Sequence, residues 1–450
     1  MTGRRLLYLP IETKARELLG KSFLAARAVE RGWIVVMGAH ADTRKYMLEH
    51  PAGLYVETSI PDAKAERLER IHAAGHRVAN LCEESIVYAD GRDYCTRKIG
   101  LSTLRFTDLL LVPGDRNAEH LRDYRPECDG KVVVTGNPRF DTLLPGVRCV
   151  YNQAAKAIKD TFGRFVLVNT NFGRPNPHRR DEDPVAKLIA RGLISEGDEA
   201  DFIRRHLSFK RRQMNGLQGV LEDLAASGSV EKIVIRPHPV ENHDAWREWA
   251  RPLNIEVRYE GSANNWMMAA DAVVHPGCTT GIEGVLLDRA VFSYVPEADS
   301  EFIGEQDRAS ECVANAEELS NGLERVRGLG QQDSRKGFAA QRERLRHSIA
   351  NVEQPYAADR ILDELERLDL RPVRLAQLGM GSGFLSKVVR AGRRYLPRRP
   401  DTKRDARSIQ KFPGVAEEEI RGPLAQWADA RILTQMPQIT RFNDRLWALH

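Results

Sequence analysis

The sequence contains no run of 18 apolar residues anywhere in its 450. A transmembrane helix is therefore excluded. Mean hydropathy is −0.45, and 42% of residues are hydrophobic against 29% charged, a globular composition with a wet surface. Cysteine is sparse. Cys82, Cys95, Cys128, Cys149, Cys278 and Cys312 form no CxxC pair and match no zinc spacing. They read as reduced thiols of a cytoplasmic protein, with no disulfide framework and no metal site expected. GxGxxG, Walker A, HExxH and GxSxG are also missing. The dinucleotide fingerprint, the P-loop, the zinc protease and the hydrolase elbow are thereby set aside. The opening MTGRRLLYLPIETKARE is charged within a few residues of a short apolar run, so no secretory leader is expected.

Charge is unevenly placed. The net charge is +5, yet residues 371–411 carry twelve Lys/Arg and two Asp, leaving about −5 for the rest. The basic excess belongs to one segment, which argues against a nucleic-acid-binding surface. No aromatic-rich or groove-reading motif accompanies it, and no nucleic-acid partner is expected. Within it, residues 383–399 mix Phe384, Leu385, Val388, Val389 and Leu396 with Lys387, Arg390, Arg393 and Arg394. That pattern predicts an interfacial helix on an anionic membrane surface, ended by Pro397, or else a solvated linker.

What is present is a strand–helix rhythm. RLLYLP, WIVVMG, GLYVET, HRVANL, DLLLVPG and KVVVTG are short apolar runs separated by amphipathic stretches, with Gly32 and Gly75 closing two helices. A second set follows: FVLVNT, KIVIRPHP, IEVRYEG, AVVHPG and AVFSYVP. Near-continuous apolar strands alternating with helices imply parallel sheets covered on both faces. The expected class is α/β, with two facing Rossmann-like, doubly wound domains and a helical C-terminal extension. The expected boundaries are 1–150, 151–335, a helical segment 336–370, the basic segment 371–410 and a docking segment 411–450. The polar stretch 172–208 reads as a long functional loop.

Ligands of such sheets bind beyond the carboxyl ends of the strands. Five places there carry chemistry. Glu12 follows the first strand and can act as a general base, or Thr13 and Glu17 simply start a helix. Glu83 and Glu84 are adjacent carboxylates after the fourth strand; one is a candidate base, or both are solvated. Arg236-Pro237-His238-Pro239 ends another strand. The prolines fix His238, which with Arg236 can meet a phosphate. Gly277, Thr279, Thr280 and Gly281 begin a helix and make an anion cradle, with Glu283 placed to reach a ribose or to complete a capping box with Thr280. Asn171 and Gly173 follow the second domain's first strand, with Lys210, Arg211 and Arg212 opening a nearby helix.

Together LPIETKARELL…LAARAVERGW, CEES, VTGNPRFD, IRPHPVENHDAW, HPGCTTGIEGVLLDRAVFSY and KFPGVAEEEI resemble the bacterial surface carbohydrate biosynthesis protein family, over most of residues 5–425. That family is GT-B-like and similar to capsule and lipopolysaccharide Kdo transferases and bacterial sialyltransferases. The resemblance implies that His238-Pro239 is an HP motif and Thr279-Thr280 the hydroxyl motif, holding the phosphate of a CMP-activated sugar acid such as Kdo. It also implies that Glu283 binds the donor's ribose. The chain has Thr-Thr where serine is common. The expected activity is sugar transfer from a nucleotide sugar to a surface polysaccharide or lipid-linked glycan. No cofactor is expected, and the location is cytoplasmic, peripheral on the inner membrane. A sugar-nucleotide epimerase, a polyol-phosphate transferase and a non-catalytic assembly protein remain alternatives.

Overall fold

A computed structural model describes residues 3–86, 88, 91–177, 183–190, 194–298, 301–328, 331–380 and 409–450. The amphipathic basic helix expected at 383–399 lies outside the described residues.

The chain forms two compact units, residues 1–150 with 346–450, and residues 151–345. Unit 1 begins with β1 (Arg5–Ile11), α1 (Lys14–Glu30), β2 (Trp33–Ala39), α2 (His40–Leu48), β3 (Leu54–Glu57), α3 (Ala65–Ala73), β4 (Arg77–Leu81), β5 (Leu109–Val112) and β6 (Val132–Val134). These six strands are parallel and lie in the order β2-β1-β3-β4-β5-β6. The period of two along β1 sends Leu7, Leu9 and Ile11 into one core and Leu6 and Tyr8 into another. Both faces of the sheet are thus covered, which is why its strands read as unbroken apolar runs.

Unit 2 contains β7 (Val166–Asn169), β8 (Ile233–Arg236), β9 (Glu256–Val257), β10 (Ala272–His275), β11 (Ala290–Tyr294) and β12 (Glu311–Val313). All are parallel, in the order β9-β8-β7-β10-β11-β12. Counting within the unit this is 3-2-1-4-5-6, the doubly wound dinucleotide-fold order. The strand order reverses between β7 and β10. In unit 1 it reverses between β1 and β3.

The C-terminal stretch is built into unit 1. A hairpin, β13 (Ile439–Asn443) and β14 (Leu446–Leu449), pairs antiparallel with β2 and extends the sheet to eight strands. The helices Ala357–Leu365 and Glu417–Asp429 bury Ile361, Leu362, Leu365 and Trp427 against α1. Phe23 of α1 meets Trp427 edge-on at 5.1 Å. The segment expected over 336–370 as one helical piece divides instead. The helix Gln331–Leu345 belongs to unit 2 and the rest to unit 1. The expected loop over 172–208 also differs, because it includes the helix Pro184–Ala190 and the start of Asp198–Ser227.

Candidate functional site

In unit 2, the loops after β7 and β10 meet where the strand order reverses. Asn171 Nδ2 donates to the carbonyl of Gly277 at 3.2 Å. Gly277 has φ +75°, a conformation that disfavours any side chain. The next turn is organised by His275, which is fully buried. Its Nδ1 accepts the N–H groups of Gly277 (3.1 Å) and Cys278 (3.2 Å), leaving Nε2–H to donate to Ser310 Oγ at 2.9 Å. Burial pushes its pKa down to about 4, so the ring is neutral. A Cβ on Gly281 would stand 2.3 Å from that Nε2, so only glycine fits there.

This corrects the expected cradle. Two of its N–H groups are taken by His275, and those of Thr279 and Thr280 are the first without an intrahelical acceptor. The helix Thr280–Leu286 has Thr279 at its N-cap with no side-chain cap bond, so the capping box expected between Thr280 and Glu283 does not form. Thr280 Oγ1 is buried with no partner among the described residues. Glu283 is 5% exposed.

Lys210 comes from the 30-residue helix Asp198–Ser227. It lies well inside that helix, not at a helix start as expected. Successive helical residues point about 100° apart, so Arg212 turns away to Glu297 at 2.8 Å. Lys210 alone turns in. Its ammonium donates to Pro276 O at 2.6 Å and Gln213 Oε1 at 2.8 Å, and lies 5.7 Å over the Phe172 ring. No described carboxylate is within ion-pair distance. Burial lowers its pKa to about 8, against the pull of Asp307. A partly buried ammonium held by neutral groups, with no described carboxylate paired to it, is unusual, since desolvated charges are normally paired.

His238 is placed by Glu241, a residue the sequence reading missed. Glu241 is fully buried. It accepts from Thr170 Oγ1 (2.8 Å), Phe172 N–H (2.8 Å), His238 N–H (3.2 Å) and Trp246 Nε1–H (2.6 Å). One carboxylate thereby ties the β7 and β8 loops together. Charge alone gave no signal for it, because an acidic residue in a polar turn reads as solvated. The partly buried His238 accepts weakly at Nδ1 from Val240 N–H (3.4 Å), which leaves Nε2–H as a donor. Burial lowers its pKa, with Glu241 opposing and His243 adding to the shift. Pro239 beside it is exposed. Gly173 lies directly under Val240, whose Cγ2 would be 2.3 Å from a Cβ there. Arg236 departs from expectation. Its guanidinium donates to the carbonyls of Glu260 (2.8 Å) and Gly261 (2.5 Å) and holds that loop, so it is not directed at a ligand.

In unit 1, a carboxylate from within α1 folds back on the turn before it. Glu17 accepts the N–H groups of Glu12 (3.0 Å) and Thr13 (2.9 Å), the two residues that precede the helix. Burial opposes its ionisation, but Lys21 and these donors hold its pKa below the usual value. Lys21 is buried, donating to Pro10 O at 2.6 Å and Glu17 at 2.9 Å. It stands 3.8 Å from Glu83.

The three carboxylates expected as base candidates separate. Glu83 turns inward, 8% exposed, and accepts from Asn137 Nδ2 at 3.1 Å. Burial raises its pKa despite Lys21. Glu84 turns outward between Lys98 (2.8 Å) and Arg16 (2.9 Å). The Lys98 hydrogen bond, joined by Arg16 and opposed by burial, holds it at about 2. Glu12 is paired with Lys411 at 2.5 Å. Burial would raise its pKa, but Lys411 brings it below the usual value. Among the described residues no cluster of His, Cys, Asp and Glu is arranged to hold a metal ion.

No protein-family model matches the sequence, and no curated protein matches it. Among solved structures, the chain is similar to a protein assigned as a UDP-N-acetylglucosamine 2-epimerase from Listeria monocytogenes. The identity is 13%, over 83% of this chain and 100% of that one, with a TM-score of 0.51. It is also similar to the wall teichoic acid polymerase TagF (10% identity, 82% and 89% covered, TM-score 0.46) and to Anabaena HepE in complex with UDP (11%, 81% and 100%, 0.45). The fold is of the GT-B type, with two Rossmann-like domains.

Proposed function

We infer that the chain is a nucleotide-sugar-dependent glycosyltransferase, with the donor on unit 2 and the acceptor on unit 1. The observation that carries this reading is Lys210, a partly buried ammonium with no carboxylate partner among the described residues, beside the point where strand order reverses. It supplies what an incoming phosphate lacks. The N–H groups of Thr279 and Thr280, their hydroxyls and His238 Nε2–H add neutral donors. Asn171 and Gly277 hold the two loops together, while Gly173 lets Val240 and Gly281 lets His275 pack close. Glu283 takes the ribose, as the resemblance implies.

In the transfer, the acceptor hydroxyl oxygen bonds to the anomeric carbon, and the bond from that carbon to the phosphate oxygen breaks. The leaving phosphate oxygen keeps the electron pair, and its charge is met by Lys210. The acceptor proton passes to Glu83. Of the three candidate carboxylates, only Glu83 has its pKa raised toward the working range of a base. The proposed donor is a CMP-activated sugar acid such as Kdo, and the acceptor a surface polysaccharide or lipid-linked glycan. The basic segment 371–410 supports placement on an anionic membrane surface.

A thermal-shift screen of CMP-, CDP-, UDP- and GDP-linked compounds tests the reading, because a ligand of the native state raises the midpoint by mass action. A shift with the CMP compounds, followed by acceptor-dependent release of CMP, is expected. Epimer or free nucleotide formed without acceptor would identify an epimerase instead. A response to CDP-glycerol alone would identify a polyol-phosphate transferase. No nucleotide response at all would identify an assembly protein.

A further inference from the structure

The last residue of β3, where strand order reverses in unit 1, is Glu57. Its carboxylate is fully buried. It accepts from Lys64 Nζ (3.0 Å), Arg67 (3.2 Å), His40 Nε2 (3.0 Å), the Tyr55 hydroxyl (3.3 Å) and Thr58 N–H (3.0 Å). With the Thr58 hydroxyl at 3.4 Å these six donors exhaust a carboxylate's lone pairs. The cations around it are not exhausted. Arg67 Nε is buried with no partner among the described residues. Arg44 lies one turn beyond His40 on α2, hence on the same face. With Arg67 it acts electrostatically on the Tyr55 hydroxyl, and no described residue bonds to its guanidinium.

The neighbouring carboxylates are committed elsewhere. Glu12, 3.4 Å from Thr58 Oγ1, is paired with Lys411, and Asp42 on α2 is paired with Arg445. Lys64 and Arg67 therefore share Glu57 with His40, and no described carboxylate is paired with Arg44. Before α1, the Glu17 carboxylate already takes the N–H groups of Glu12 and Thr13, and its charge disfavours a second anion there. An anion entering this end of unit 1 is better met by the cationic side chains.

We propose that Arg44 and Arg67 form a binding site for an oxyanion carried by the acceptor, either a phosphate monoester or a sugar-acid carboxylate. Glu57 is the anchor that holds Arg67 and Lys64 in position. The free donors of two guanidinium groups match the planar or tetrahedral oxygens of such a ligand. This inference rests on unit 1 being the acceptor side.

The test uses the full chain carrying Lys210→Met, which removes the phosphate-binding cation of unit 2. It is titrated by calorimetry with inorganic phosphate and, separately, with glucuronate. One equivalent of at least one of them binds, and the one that binds more tightly identifies the source of the oxyanion. Adding Arg44→Gln weakens that binding by roughly tenfold or more, and Arg44→Gln/Arg67→Gln abolishes it. Arg44→Gln breaks no described bond, so its thermal midpoint stays that of its parent. Failure of both probes to bind the Lys210→Met chain, or binding unchanged by Arg44→Gln, overturns the proposal. Wild-type phosphate stoichiometry persisting in Lys210→Met would instead count against the unit 2 assignment, and the Arg44 comparison would still decide this one.

Discussion

Asn171 Nδ2 and the Gly277 carbonyl oxygen lie 3.2 Å apart and join the ends of β7 and β10. A hydrogen bond between side chain and backbone at that place fixes the spacing of two loops that no strand ladder reaches. Gly277, having no side chain, leaves room for the Lys210 ammonium, which would stand 3.4 Å from a Cβ there. Replacing the lysine leaves the loop-joining bond in place and so tests binding apart from folding.

Lys210→Met is expected to weaken CMP binding by roughly 10- to 100-fold, the worth of a charge-assisted hydrogen bond. Its thermal midpoint without nucleotide is expected to hold or rise, because an apolar side chain removes a partly desolvated charge that no carboxylate pairs. Calorimetry and thermal denaturation together check this; a lowered midpoint with unchanged CMP affinity would refute it. His238→Ala should keep the fold, by thermal denaturation, while turnover falls by about 10²–10³.

Glu83→Gln is expected to lower turnover by about 10²–10⁴-fold with nucleotide affinity retained, whereas Glu12→Gln leaves most activity. The pH dependence follows from the raised pKa of Glu83. Activity falls as the carboxylate protonates, with its acid limb above the ordinary glutamate range. Stability runs the other way. A raised native pKa means the protonated form favours folding, so this contribution is full below the unfolded pKa and is lost as pH rises through the native one. Urea titrations at several pH values should show Glu83→Gln lacking that loss. Equal turnover in wild type and Glu83→Gln would place the base elsewhere.

Gly281→Ala is expected to cost about 1–3 kcal/mol, since its Cβ would press on the His275 ring and displace it from Ser310. Denaturant unfolding measures the cost. An alanine variant of wild-type stability would mean that the turn yields more easily than its contacts suggest.

The basic segment predicts binding to anionic liposomes at roughly 1 kcal/mol per Lys/Arg near the surface. Sedimentation should retain the full chain at low salt and lose the variant with Arg390, Arg393, Arg394, Arg398 and Arg399 all changed to Gln. Equal sedimentation of the two proteins would exclude this segment as the anchor.

Much of the fold was legible because the strands are buried on both faces. RLLYLP and WIVVMG read as apolar runs and pair as β1 and β2. The loops at strand ends were legible for the same reason, and Asn171, Gly277 and His238 could be named from position alone. Roles within those loops were less legible. Arg236 reads as a ligand for phosphate beside His238, yet its guanidinium holds the carbonyls of Glu260 and Gly261. Lys210 reads as the start of a helix, because the polar stretch before it hides the first turns of Asp198–Ser227.

The sequence by itself determined the alternation of strands and helices, the parallel strands at the heart of both sheets and the loops where chemistry can occur. Each of these follows from local periodicity and chain connectivity. Only the tertiary structure decided which carboxylate is buried. Glu83 and Glu84 are neighbours of the same type, and the turn after β4 sends one to Asn137 and Lys21 and the other to Arg16 and Lys98. Glu12 was decided by Lys411, 399 positions away, where the C-terminal segment packs back on unit 1. Ionisation depends on what surrounds a group in space, and for these residues most of that comes from distant parts of the chain.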